Sequence, residues 1–377
     1  MKLIFAFIVI VLSATSYGQK NYHLIIGTYT SGSSDGIYVH HFNTKNGDSY
    51  PVDSIKTSNP SFLDIAPGEG TIYAVNENAG ANGKAGGVSS FSFDQFTGHL
   101  KLLSTTSSEG NHPCYIAVDK TGKWVAVGNY SSGNFTVLPV LNGGGLGTST
   151  VIVQHEGKGP DKRQASPHVH SVVFSPGNRF LLVNDLGIDK IMIYSFDEHT
   201  GSIKPADQPF IDVEAGSGPR HLAFHPKKSF VYLLNELKGT VDVFRYHTKN
   251  GSLFALQTIS SLAADFKGFA GSADIHVSSD GKFLYASNRG DANNIAIYRI
   301  NKRNGKLALI NHQPVLGKAP RNFSMDPSGK FLLCANQDTD EIVIFHRNKR
   351  SGLLTDAGKR ISISKPVCIK WALINKK

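Results

Sequence analysis

Two histidines sit two residues apart in SPHVHSVVF, His168 and His170. Imidazole titrates near neutrality, so either suits proton transfer or anion binding. On a strand the two side chains point to the same side, yet no third ligand with fixed spacing accompanies them, and no metal is expected. Charged and polar residues also recur immediately after a repeated Asn. Glu77 follows Asn76, Tyr130 follows Asn129, Asp185 follows Asn184, Glu236 follows Asn235, Arg289 follows Asn288 and Gln337 follows Asn336. A second set, Ser61, Cys114, His170, Arg220, Ala273, Arg321 and Val367, stands one residue after the start of an apolar segment. Gathered in one place, such carboxylates, guanidiniums and imidazoles would suit acid–base chemistry on an anionic ligand. No GxSxG elbow, HExxH pair or Walker loop is present, and GGGLG from Gly143 lacks the strand-to-helix setting of a phosphate loop. No cofactor is expected.

Gathering these residues requires elements that repeat. One pattern recurs: an apolar strand, often opened by Pro; a turn like PSGK; a second strand ending in Asn; a third, alternating strand; and a turn like TGxL. GPRHLAFHPKKSFVYLLNELKGTVDVFRYHTKNGSL from Gly218, GSADIHVSSDGKFLYASNRGDANNIAIYRINKRNGKL from Gly271 and APRNFSMDPSGKFLLCANQDTDEIVIFHRNKRSGLL from Ala319 align almost without gaps. First strands are predicted from Pro60, Pro113, Val169, Pro219, Ser272, Pro320 and Pro366, spaced 46 to 56 residues apart. Second strands end at six Asn residues, and LIIGTYT around Gly27 supplies the seventh. The predicted fold is therefore all-β, a seven-bladed β-propeller closed by pairing the C-terminal PVCIKWAL with strands between about Tyr22 and Val52. A lone blade cannot bury its faces, whereas a ring stacks each blade on two neighbours.

In such a blade the first strand leaves one rim and the second returns to it. The two sets of variable residues then meet around the central channel. The repeated Asn residues are read as scaffold, satisfying backbone groups at a turn. Their differing neighbours are where function enters.

The first residues read as an export signal over 1–18: Lys2, an apolar run from Leu3 to Leu12, and Ser16 and Gly18 before a cut at Gln19. Residues 19–377 form the propeller domain, and the protein is expected to be periplasmic or extracellular, with no stable membrane anchor. Cys114, Cys334 and Cys368 lie in apolar runs and are read as buried free thiols. The formal charge of +10 falls largely at turns such as NKRNG and NKRSG, without interleaved aromatics, so a nucleic-acid partner is not expected.

The segments IGTYTSG, SPHVHSVVFSP, GPRHLAFHP, VYLLNEL, LYASNRG and APRNFSMDPSGKFLLCANQ together resemble the lactonase family of seven-bladed propellers, which includes propeller-type 6-phosphogluconolactonases and carboxymuconate-cyclizing enzymes. The resemblance covers about Tyr22 to Leu373. It implies a basic pocket for a small anionic lactone, with Arg220, Glu236, Arg289 and either His170 or His168 at the catalytic positions. In the hydrolysis it implies, Glu236 positions or deprotonates water, Arg289 or Arg220 stabilises the oxyanion, and a histidine protonates the leaving oxygen. Arg321, Glu77, Asn129, Tyr130, Asp185 and Gln337 are expected to contact substrate. Two rival readings stand: lactone formation from an unsaturated diacid, and an exported carbohydrate-binding module without catalysis.

Overall fold

The computed structural model describes residues 21–80 and 86–375. The export segment expected over 1–18 lies outside the described residues. Seven four-stranded antiparallel sheets are present. Blade 1 takes its inner strand from Pro366–Leu373 and the others from Tyr22–Thr28, Gly36–Phe42 and Ser49–Lys56. Blades 2 to 7 follow in chain order, with inner strands Leu63–Ile65, Pro113–Val118, Val169–Phe174, Pro219–Phe224, Ser272–Val277 and Pro320–Met325. Each inner strand touches the inner strand of the next blade, including Pro366–Leu373 against both Pro320–Met325 and Leu63–Ile65, so the ring is closed.

The second strands, such as Phe180–Asp185, Phe230–Asn235, Phe283–Asn288 and Phe331–Asn336, are buried along their whole length. That explains why they read as continuous apolar runs rather than alternating ones. The hydrophobic clusters lie between blades: Tyr232 and Leu234 pack with Leu284 and Ala286, and Tyr285 and Ile297 pack with Leu332 and Cys334. The TGxL-like turns contribute to the same stacking. Gly201 (φ +71°) lies against the Trp124 ring and Gly352 (φ +83°) against the Phe283 ring. A β-carbon there would meet the ring in a backbone conformation that only glycine adopts freely.

The repeated Asn residues are scaffold. Asn76, Asn129, Asn288 and Asn336 each donate from Nδ2 to a backbone carbonyl just beyond the last strand of the preceding blade: Ser58, Ser108, Ser261 and Val315 respectively. The strand expected from Pro60 starts later, at Leu63. Asn59 takes φ +43° and accepts from the Ser61 amide, so the chain turns where a strand was expected. All three cysteines are free and buried.

Candidate active site

The inner strands share a defect that turns their second residue toward the channel. In blade 4, Val169 pairs with Asp185 and Ser171 with Asn184, leaving His170 unpaired. The same slip leaves out Cys114, Arg220, Arg321 and Val367 in blades 3, 5, 7 and 1, and blade 6 is irregular between Ser272 and Ile275. A bulge of this kind frees a side chain from the strand's alternation and re-aims it. His168 precedes the strand, and both histidine rings pack on Tyr130: His168 stacked at 4.5 Å and His170 edge to face at 5.5 Å.

A cavity of about 230 Å³ opens at this end of the channel. All seven blades contribute to its wall: Tyr29, Glu77, Cys114 with Tyr130, His170, Glu236, Arg289 and Arg321, joined by Arg163 from the connection between blades 3 and 4. Glu236 is the electrostatic centre. Arg163 Nη2 lies 2.7 Å from its Oε1, while Arg220 Nε lies 2.8 Å and Arg289 Nη2 3.2 Å from Oε2. The Arg220 contact is an ion pair whose N–H is not aligned on the oxygen; this guanidinium also donates from Nη1 to the Ala273 carbonyl. Arg289 is braced by an Nε bond to the Gly271 carbonyl of 2.8 Å. Burial pushes the Glu236 carboxyl up, but the Arg289, Arg220 and Arg163 charges outweigh it and hold it down at about 2. Burial and the neighbouring Arg289 bring Arg220 down to about 10 despite Glu236, leaving it charged at neutral pH.

Arg321 is different. Its guanidinium lies over the Tyr29 ring, 5.3 Å from the centroid, and among the described residues no hydrogen bond to protein engages it. Tyr29 itself donates to Glu77 Oε2 at 2.9 Å, and Ser61 Oγ donates to the same oxygen. Four guanidiniums thus surround two carboxylates, leaving a net positive pocket with one arginine available to a ligand.

His170 is buried, with Nε2 3.9 Å from Glu236 Oε2 and Nδ1 3.8 Å from Cys114 Sγ. Burial, reinforced by Arg220 and His221, holds its pKa well below the ordinary imidazole value, so the ring is neutral at pH 7. His168 has another role: it stacks on the Tyr130 ring at 4.5 Å and its Nδ1 lies 3.0 Å from the Tyr130 carbonyl oxygen. It sets Tyr130 against the cavity rather than lining it.

Two residues expected to contact substrate are committed to structure. Asn129 is fully buried in the inter-blade tie described above. Asp185 lies within the strand, which in this blade runs one residue beyond the Asn; it pairs with His155 Nδ1 at 2.7 Å and accepts the His168 and Gly187 amides. Gln337 borders an outer recess shared with Phe269, Arg163 and Arg289. Sequence reasoning passed over Arg163 and Tyr29. The long connection 155–168 before blade 4 was the available signal for Arg163, whereas Tyr29 stands one residue past the post-Asn position and had none.

Stability should fall in acid through the buried imidazoles. His170 is held well below 6.5 and His221 at about 4, so between about pH 6.5 and 4 the unfolded chain binds protons that the folded chain refuses. Their stabilisation is complete above the unfolded pKa and is lost on descending through it, by roughly 1.4 kcal/mol per pH unit for His221 across this window, with His170 adding in the same direction. Thermal unfolding followed from pH 7.5 to 4.5 should show this decline, and His221→Phe should make it shallower.

Comparison with known proteins gives a consistent result. The chain is 35% identical over 349 residues to a 6-phosphogluconolactonase of Bacillus subtilis (strain 168), covering 92% of this chain and 97% of that protein. It is 39% identical over 341 residues to a 6-phosphogluconolactonase of Formosa agariphila, covering 88% and 94% respectively. The solved structure of a periplasmic gluconolactonase from Pseudomonas aeruginosa superposes with a TM-score of 0.90 at 36% identity, over 94% of this chain and 100% of that one. Residues 23–371 match the family model described as lactonase, 7-bladed beta-propeller, and the chain belongs to that family.

Proposed function

We propose that the channel mouth hydrolyses an anionic sugar lactone to its open-chain acid. The observation that carries this reading is the division of labour among four arginines: three converge on Glu236, and Arg321 faces the cavity with no hydrogen bond to protein among the described residues. A lone guanidinium in a net positive cavity suits the carboxylate or phosphate of a substrate. The gluconolactonase names of the relatives support the same reaction class.

Both oxygens of Glu236 are engaged by guanidiniums, so the base role expected of it passes in this proposal to His170, which lines the same cavity. The neutral imidazole accepts a proton from the attacking water and returns it to the ring oxygen as the acyl–oxygen bond breaks. Arg289 stabilises the oxyanion that forms when water adds to the carbonyl. Glu236 keeps Arg163, Arg220 and Arg289 converged, and Tyr130 closes the side of the pocket. We also read residues 1–18 as a cleaved export signal, which widens the substrate range to unphosphorylated sugar lactones and uronic-acid lactones. N-terminal sequencing of the protein from its native host should begin at Gln19.

Turnover of glucono-δ-lactone, its 6-phosphate and a uronic-acid lactone by the purified protein tests the proposal. At least one should be opened, with Arg321→Met raising KM for the anionic substrates about tenfold. His170→Asn should lower kcat by about a hundredfold with the fold intact. Lactone formation from a muconate, with none of the three lactones opened, would overturn it.

A further inference from the structure

Consecutive residues on the inner strands divide between two chambers. Cys114 and Arg321 line the mouth, whereas Tyr115 and Asn322, the next residues along, line a second cavity of about 360 Å³ further down the channel. In blade 5, Arg220 turns to Glu236 at the mouth while His221 lines the lower chamber. The His170 and His221 rings meet edge to face, 5.4 Å apart, where the two chambers adjoin.

The lower chamber is built around Asp274. His221 Nδ1 lies 2.8 Å from Asp274 Oδ1; His276 Nε2 and Asn322 Nδ2 approach Oδ2 at 2.9 and 2.5 Å. A carboxylate at Nδ1 fixes the hydrogen there, so Nε2 of His221 presents a lone pair. That nitrogen has no hydrogen-bond partner among the described residues, although the His221 side chain is only 6% exposed. A buried acceptor left unpaired is costly, so His221 Nε2 calls for a donor from within the chamber. Burial, with Arg220 beside it, brings the His221 pKa down to about 4 even though Asp274 opposes this, so the acceptor persists at neutral pH.

The rest of the wall restricts the ligand's chemistry. Phe62 and Tyr115 stack at 4.1 Å, and their rings meet the edge of His221 at 5.7 and 5.2 Å. Lys370 is already paired with Asp64 at 3.2 Å. With Asp274 at its centre, and with Lys370 and His276 paired to carboxylates among the described residues, the chamber favours anions less than the mouth does. Aromatic surface beside a buried acceptor suits a molecule with C–H faces and donating hydroxyls.

We infer that the lower chamber is a second binding site, distinct from the lactone pocket, for a small neutral polyol that donates a hydroxyl hydrogen bond to His221 Nε2. Saturation-transfer NMR on the whole purified protein with D-glucose, D-xylose and D-glucitol tests it. At least one should bind in the millimolar range, and binding should weaken at least tenfold in His221→Phe, which removes the acceptor. Ala223→Phe, which fills the chamber from its wall, should weaken it equally while leaving lactone turnover within about twofold of the parent. D-gluconate, an anion suited to the mouth, should not displace the bound polyol. The inference fails if none of the three polyols binds, if binding survives in Ala223→Phe, or if gluconate displaces it. Should His221→Phe not fold, Ala223→Phe decides alone.

Discussion

Glu236→Gln is expected to lower lactone turnover by about a thousandfold and to destabilise the protein by about 3–5 kcal/mol. The substitution keeps the shape of the side chain and removes its charge. Arg163, Arg220 and Arg289 would then converge on a neutral amide, with Arg220 only 1% exposed and unable to reach water. Removing one partner of a buried ion pair leaves the other uncompensated, and here three cations are left together. The guanidiniums should splay apart, taking Arg289 away from the position proposed for the oxyanion.

The two effects can be separated. Arg163→Gln in the Glu236→Gln background removes one of the repelling cations and should recover part of the melting temperature without recovering turnover. Glu236→Asp, which keeps the charge on a shorter stem, should fall between the parent and Glu236→Gln in both. The sign of the pH dependence follows from the depressed pKa. The stabilisation from Glu236 is complete above the ordinary carboxylate range and is lost as pH falls toward about 2, so the Glu236→Gln deficit should narrow in strong acid. Melting curves and steady-state kinetics on the same preparations check both effects. A variant that kept full turnover would remove Glu236 from the site.

How far this site could be read from sequence depended on what was periodic. The repeat located six of the seven inner-strand starts, and the rim rule placed Glu77, Tyr130, His170, Glu236, Arg289 and Arg321 at one cavity because each occupies a fixed position in its blade. The bulge that aims His170 is a backbone slip with no residue signature. Both His168 and His170 meet the Tyr130 ring, but only His170, re-aimed by the slip, lines the cavity. Asp185 occupies the same post-Asn position but falls inside the ladder, because the strand in blade 4 runs past its Asn, and only the pairing with Val169 and Lys190 reveals this. Arg163 comes from a connection outside the repeat, so no alignment of blades could reach it.

Deleting residues 366–377 is expected to abolish cooperative folding. This segment supplies the inner strand of blade 1, pairing with the chain's first described strand from Tyr22↔Leu373 to Thr28↔Pro366. It also packs between blades 7 and 2: the Ile369 amide donates to Asn322 Oδ1 at 2.8 Å, the Leu63 amide to Cys368 Sγ at 3.3 Å, and Lys370 pairs with Asp64. Val367, Cys368, Ile369 and Ala372 are each at most 3% exposed. At roughly 1.5–3 kcal/mol for each large apolar side chain returned to water, the loss approaches the 5–15 kcal/mol that stabilises a typical domain. The cost does not end with that burial. An open ring presents the edge of Tyr22–Thr28 and an unstacked face on blades 7 and 2, and such edges recruit other chains. The truncated protein should therefore lose its near-ultraviolet circular dichroism and its sharp thermal transition, and should aggregate. A synthetic peptide spanning 366–377, added in excess during refolding, should restore both signals, because an extended peptide can add to an exposed sheet edge in trans. Turnover should return in proportion to the refolded fraction, since Tyr29 directly follows the strand that this segment pairs with and Arg321 lies on the inner strand of neighbouring blade 7. A truncated chain that melted cooperatively within a few degrees of the parent would show that the ring holds without its C-terminal strand.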